Sequence, residues 1–141
     1  MQHFLKIAKA LSDENRLRIL GALKEGELCV CQVTDLLSLA PSTISKHLSI
    51  LKNAALIDSR KQGRWIYYRM VDSPGPGVAT EALDWVFRTL ESTSQFAEDR
   101  RRLLRIREME PEVFCESGSS AGGGRMKHKA NRIQKKQGKT P

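Results

Sequence analysis

The strongest constraint on this chain is the break at Ser38-Leu39-Ala40-Pro41, which separates two apolar-periodic stretches. Before it, Val33, Leu36 and Leu37 lie at packing spacing in a short helix from about Val30 to Leu37. After it, Pro41 suits the first turn of a new helix, where its missing N–H costs nothing, and that helix runs to about Asn53. The second helix has two faces. Ile44, His47, Leu48 and Leu51 form a packing stripe, while Ser42, Ser45, Lys46 and Ser49 repeat at i, i+3, i+4, i+7 on another, with Thr43 beside them. Small hydroxyl side chains let a helix approach the major groove closely while bonding to phosphates or base edges. Ser42, Thr43, Ser45, Lys46 and Ser49 are therefore candidate DNA contacts.

Leu56 to Gln62 and Arg64 to Met70 are β-prone runs joined at Gly63, which can take the positive φ of a tight turn. Lys61 and Arg64 put positive charge at the hairpin tip and are candidate backbone contacts. A hairpin after such a helix is a wing, so the expected fold is mainly α with a small β-hairpin, a winged helix-turn-helix. Upstream, Phe4, Ile7, Ala8 and Leu11 form one stripe. Leu17, Leu20 and Leu23 form a second, after the capping residues Ser12 and Asp13, and Gly26 ends it. Beyond the hinge Ser73-Pro74-Gly75-Pro76-Gly77, a helical stripe of Leu83, Val86, Phe87 and Leu90 continues less regularly through Phe96, Leu103 and Leu104. With Phe4, that stripe leaves more apolar surface than a small winged domain covers, which points to a homodimer interface.

Length supports one domain plus a tail: 141 residues bury a modest core but not two. The expected division is 1–92 for DNA binding and dimerisation, 93–115 for a C-terminal helical extension and 116–141 for a disordered basic tail. The tail has no apolar period and holds seven basic side chains against one acid, so +6 of the formal +8 lies there. The folded part is only weakly basic, and charge alone does not argue for nucleic acid. No apolar run suggests a membrane span or a signal peptide, so a cytoplasmic protein is expected, with its three cysteines as reduced thiols.

Two of those thiols, in Glu27-Leu28-Cys29-Val30-Cys31, sit just ahead of the helix-turn-helix. In an α-helix a step of two residues turns the side chain by about 200°, whereas in an extended chain positions i and i+2 share a face. One soft ion held by both sulfurs would favour an extended or unwound start to the following helix. The plain alternative is a pair of buried small apolar side chains. For His47, on the packing stripe, the plain reading is a structural residue. For Arg100-Arg101-Arg102 it is a solvated helix face.

The stretches Leu11 to Leu20, Glu27 to Cys31, Ser42 to Leu48 and Arg60 to Arg69 resemble the ArsR/SmtB family of winged-helix repressors, and within it the arsenic-responsive type. The resemblance covers most of positions 4 to 90. It implies a homodimer that represses a double-stranded DNA operator and releases it when As(III) or Sb(III) binds thiolates at the start of the third helix. Cys29 and Cys31 fall on the sulfur ligands of that motif. Where many arsenic sensors have a third cysteine this chain has Thr34, and Cys115, a small thiol or water would complete the site. A second departure is Ala55, where the family commonly has glycine. A left-handed alanine there costs roughly 1 to 2 kcal/mol, so Asn53 is expected to cap the helix instead.

A cadmium/lead sensor shares the Glu-Leu-Cys-Val-Cys motif but usually adds cysteines from an N-terminal arm, and none precedes Cys29 here. A redox repressor would oxidise the thiols, pairing them between chains or with Cys115 more easily than with each other. The histidine and carboxylate pairs of zinc and nickel sensors are not seen. An enzyme is not expected, because there is no glycine-rich anion loop, Cys-x-x-Cys pair or acid/base constellation.

Overall fold

The computed structural model describes residues 1–72 and 77–109. Within them the order is α1 (Gln2–Ala10), α2 (Glu14–Lys24), β1 (Leu28–Cys29), α3 (Val30–Leu37), α4 (Pro41–Asn53), β2 (Ile57–Gln62), β3 (Trp65–Met70), α5 (Val78–Leu90) and α6 (Ser94–Glu108). No helix among the described residues is long and apolar enough to cross a membrane. Most of the expected hinge, the basic tail and Cys115 lie outside the described residues.

Local chemistry sets the helix ends. Asp13 caps α2 by accepting the Arg16 N–H at 3.1 Å, with Glu14 in the first turn and Lys24 in the last, each charge opposing the helix dipole. Cys29 caps α3 in a reciprocal box: its side chain accepts the Gln32 N–H, and its own N–H donates to Gln32 Oε1 at 2.9 Å. Pro41 opens α4 as expected. The far end of α4 departs from expectation. Asn53 is the last helical residue and Ala55 itself takes the left-handed conformation, φ 58°. Leu56 N–H returns to Leu51 O at 3.1 Å, and this bond, with burial of Leu56, holds the turn despite the missing glycine.

The sheet has three strands in the order β1-β3-β2, where a two-stranded hairpin was expected. Leu28 pairs with Tyr68 and Cys29 with Tyr67, both antiparallel. Gly63, φ 60°, starts the two-residue turn between β2 and β3, a conformation glycine adopts without strain. Leu20, Leu28, Val33, Leu36, Ile44, Leu48, Leu51 and Leu56 form the centre of the core, each fully buried.

The segment expected as an extension beyond residue 92 is packed into that same core. Leu103 and Ile106 of α6 join it, and α6 lies on α2 and α3. Phe96 sits so close to Gly21 of α2 that a Cβ there would come within 3.0 Å of the ring. Arg102 is also more than a solvated cation: its Nη2 donates to Asp35 O at 3.0 Å and Ser38 Oγ at 3.2 Å, closing the C-terminus of α3. On α5, Leu83 and Val86 are buried within the chain, Phe87 and Leu90 are half-buried, and Trp85 is 63% exposed. Phe4 of α1 is 54% exposed.

Candidate nucleic-acid interface and thiol site

Because Ile44, Leu48 and Leu51 are buried, the helical period turns Ser42, Thr43, Ser45, Lys46 and Ser49 outward, and all five are exposed. The helix is fixed from behind. His47 Nδ1 accepts from Arg16 Nη1 at 3.3 Å and lies 3.9 Å from the Asp13 carboxylate, so it packs α4 against α2. Arg16 also donates to Ala10 O and Lys9 O, both at 2.8 Å, tying the end of α1 to the same joint. Lys52 Nζ, 2.7 Å from Ser59 Oγ, links α4 to β2. Lys61 and Arg64 are exposed on the hairpin, with the Arg64 guanidinium 5.6 Å from the centre of the Trp65 ring. One face thus presents a polar helix and a basic wing together.

The cysteines lie beside the wing hairpin, Cys29 pairing with Tyr67 of β3. Cys29 is 1% exposed and carries a free thiol, whereas Cys31 is half-buried and disulfide-bonded. Cys29 is extended, φ −78° and ψ 159°, but α3 starts at Val30, so the expected extended start reaches the first cysteine only. Cys29, Val30 and Cys31 share an open depression of about 290 Å³ with Arg64, Trp65 and Ile66.

With the Cys31 disulfide reduced, that donor set fits a soft ion of low coordination number. Both cysteines line one space, and among the described residues no group of three or more His, Cys, Asp or Glu is placed to hold a metal. Thr34, where a third cysteine was looked for, spends its hydroxyl on Val30 O at 2.8 Å. Sequence reasoning missed Trp65 and Ile66 as walls of this depression, and the Glu27–Arg60 pair beside it, where Arg60 Nε lies 2.7 Å from the carboxylate. The only available signal was an aromatic residue at the first position of β3, which reads equally well as ordinary strand chemistry.

A helix-turn-helix with an exposed polar recognition helix, flanked by a basic hairpin, defines a winged helix-turn-helix DNA-binding protein. Residues 13–59 match the family described as bacterial regulatory protein, arsR family. The chain is 38% identical over 88 residues to the arsenic resistance transcriptional regulator ArsR1 of Pseudomonas putida, covering 57% of this chain and 69% of that one. It is 44% identical over 68 residues to a cadmium resistance transcriptional regulatory protein CadC homolog of Staphylococcus aureus, covering 48% and 56%. Its fold is similar to the homodimeric winged helix-turn-helix DNA-binding domain of a possible ArsR-family regulator from Mycobacterium bovis, with a TM-score of 0.54, 29% identity, and coverage of 64% of this chain and 80% of that one. The chain belongs to the arsR family of bacterial regulatory proteins, which are DNA-binding transcriptional regulators and not enzymes.

Proposed function

We propose that this protein is a homodimeric repressor that holds a double-stranded DNA operator through α4 and the wing, and releases it when As(III) or Sb(III) binds the thiolates of Cys29 and Cys31. Cys115 is the proposed third sulfur. The observation that carries the reading is the shared depression lined by both cysteines and by Arg64, Trp65 and Ile66 at the tip of the wing. Thiolates suit soft ions, and a three-coordinate ion needs only one donor beyond these two. A four-coordinate ion such as cadmium or zinc would need two more, and the described residues bring no histidine or carboxylate to complete that set. The names of the relatives support metalloid resistance and keep cadmium as the rival. Exposed Phe4 and Trp85, with the open parts of Phe87 and Leu90, are the surface for a second copy. Two copies of the reader require a two-fold related operator with half-sites about one helical turn apart, or a multiple of it.

A second reading, a thiol-redox repressor, is favoured by the disulfide at Cys31. Metalloid binding requires that sulfur reduced. The deciding experiment titrates the protein–operator complex with arsenite, antimonite, cadmium, lead and zinc in a phosphine reductant that offers no competing thiol. Release by arsenite and antimonite at the lowest concentrations is expected, with no release in the Cys29→Ser/Cys31→Ser variant. Release by a mild oxidant alone, with no response to any ion under reduction, makes the protein a redox switch. A double serine variant that still leaves the operator with arsenite sinks the effector site.

A further inference from the structure

The outer wall of the thiol depression is supplied by the wing. Strands β1 and β3 run antiparallel with Cys29 opposite Tyr67, so stepping forward from Cys29 to Cys31 steps back along β3 from Tyr67 to Trp65. Residues two apart on a strand share a face, which brings Trp65 to the side of the strand on which Tyr67 stands. The depression has this composition, with Cys29, Val30 and Cys31 on one side and Arg64, Trp65 and Ile66 on the other. The strands themselves are pinned: Arg60 of β2 reaches across β3 to grip Glu27 with two hydrogen bonds and stacks on Tyr67, 4.7 Å from its ring centre. Backbone motion at this edge is thereby opposed, and the Trp65 side chain in the wall of the depression is half-buried. Arg64, the basic residue at the wing tip, rests on that same indole.

We propose that Trp65 is the residue through which the wing senses the thiol depression: once the Cys31 disulfide is reduced, an ion seated on Cys29 and Cys31 is covered by the indole, and the indole that covers it no longer positions Arg64 for DNA. This rests on the reading of the cysteine pair as the effector site. The chemistry of the wall fits that ligand class. A three-coordinate, pyramidal ion leaves one face bare, which an aromatic ring covers without supplying an electron pair. A tetrahedral ion needs a donor at that position, and an indole N–H donates hydrogen bonds only. Trp65 is thus a positioning residue for the wing and a filter on the ion.

The chain has two tryptophans, Trp65 and Trp85, so Trp85→Phe isolates the first and Trp65→Phe the second. Each variant is titrated with arsenite alone, without DNA and under phosphine reduction, while free thiols are counted in parallel. The Trp85→Phe protein is expected to change its emission in step with thiol loss, and the Trp65→Phe protein to lose thiols with little change in emission. With operator DNA, Trp65→Ala is expected to take up arsenite within about threefold of the parent concentration but to need at least about tenfold more for release. Thiol loss with constant Trp65 emission, or normal release by Trp65→Ala, overturns the inference and leaves the effector site standing. If arsenite consumes no thiols in any variant, the effector site and the inference both fall.

Discussion

Arg18 on α2 grips Asp99 on α6 through two parallel hydrogen bonds, Nε to Oδ2 and Nη2 to Oδ1, each 2.8 Å long. Their side chains are 14% and 7% exposed, and Gln95 adds a third bond to Oδ1 at 3.0 Å. The hydrogen bond to Asp99 raises the Arg18 guanidinium pKa against the opposing effect of burial. Removing one partner strands the other charge. Asp99→Ala is expected to cost about 3 to 5 kcal/mol in a urea unfolding curve, whereas replacing both residues with apolar ones of similar volume recovers most of that loss. An Asp99→Ala protein within about 0.5 kcal/mol of the parent would show that α6 adds little to the core.

Ala55 offers the opposite case, a position where the chain carries avoidable strain. At φ 58° an L-alanine is disfavoured by roughly 1 to 2 kcal/mol, while glycine there loses more entropy on folding, roughly 0.5 to 1 kcal/mol. The residue is exposed, so its methyl group adds little packing. Ala55→Gly should therefore stabilise by up to about 1.5 kcal/mol, read as a higher melting temperature. A lower one would mean that the turn is not strained.

These two sites show what the sequence could and could not carry. The recognition helix was legible because burial of Ile44, Leu48 and Leu51 follows a 3.6-residue period that fixes the outward face without tertiary information. Strand β1 was not, since Leu28 and Cys29 are too few to show alternation and become a strand only by pairing with β3. Packing of α6 escaped for a related reason. Its apolar residues are sparse among arginines, and the pairing of Arg18 with Asp99 spans 81 positions. The thiol pair was readable as chemistry, but its wall of Trp65 and Ile66 depended on strand register.

Glu27 gives a pH dependence with a definite sign. The hydrogen bond from Arg60 holds its carboxyl below the ordinary value of 4.5, outweighing the upward push of burial. A carboxyl with a lowered folded pKa contributes stability that is present above its unfolded pKa and is lost as pH falls through the folded value. Thermal melts of the parent protein below about pH 4.5 should therefore fall more steeply than those of Glu27→Gln, and the two should converge in slope above it. Parallel curves throughout would show that the pair at the edge of the sheet does not couple to folding.

The DNA face separates into two kinds of recognition that different measurements distinguish. Lys46 lies on the exposed face of α4, whereas Arg64 lies in the turn at the wing tip. On the proposed reading, in which Lys46 donates to a base edge, Lys46→Ala should weaken specific binding by about 1 to 3 kcal/mol and relax preference at one operator position. Arg64→Ala removes a cation from the phosphates instead, so affinity should drop for all sequences alike, and the slope of log K against log salt should become shallower by about 1. Lys46→Ala should keep the parent thiol reactivity at Cys29, because Lys46 is not among the residues lining that depression. A mobility-shift series over several salt concentrations, on operator and unrelated DNA, reads both effects at once. Unchanged operator binding by Lys46→Ala would move the reading surface off α4, and an unchanged salt slope for Arg64→Ala would lift the wing off the phosphates.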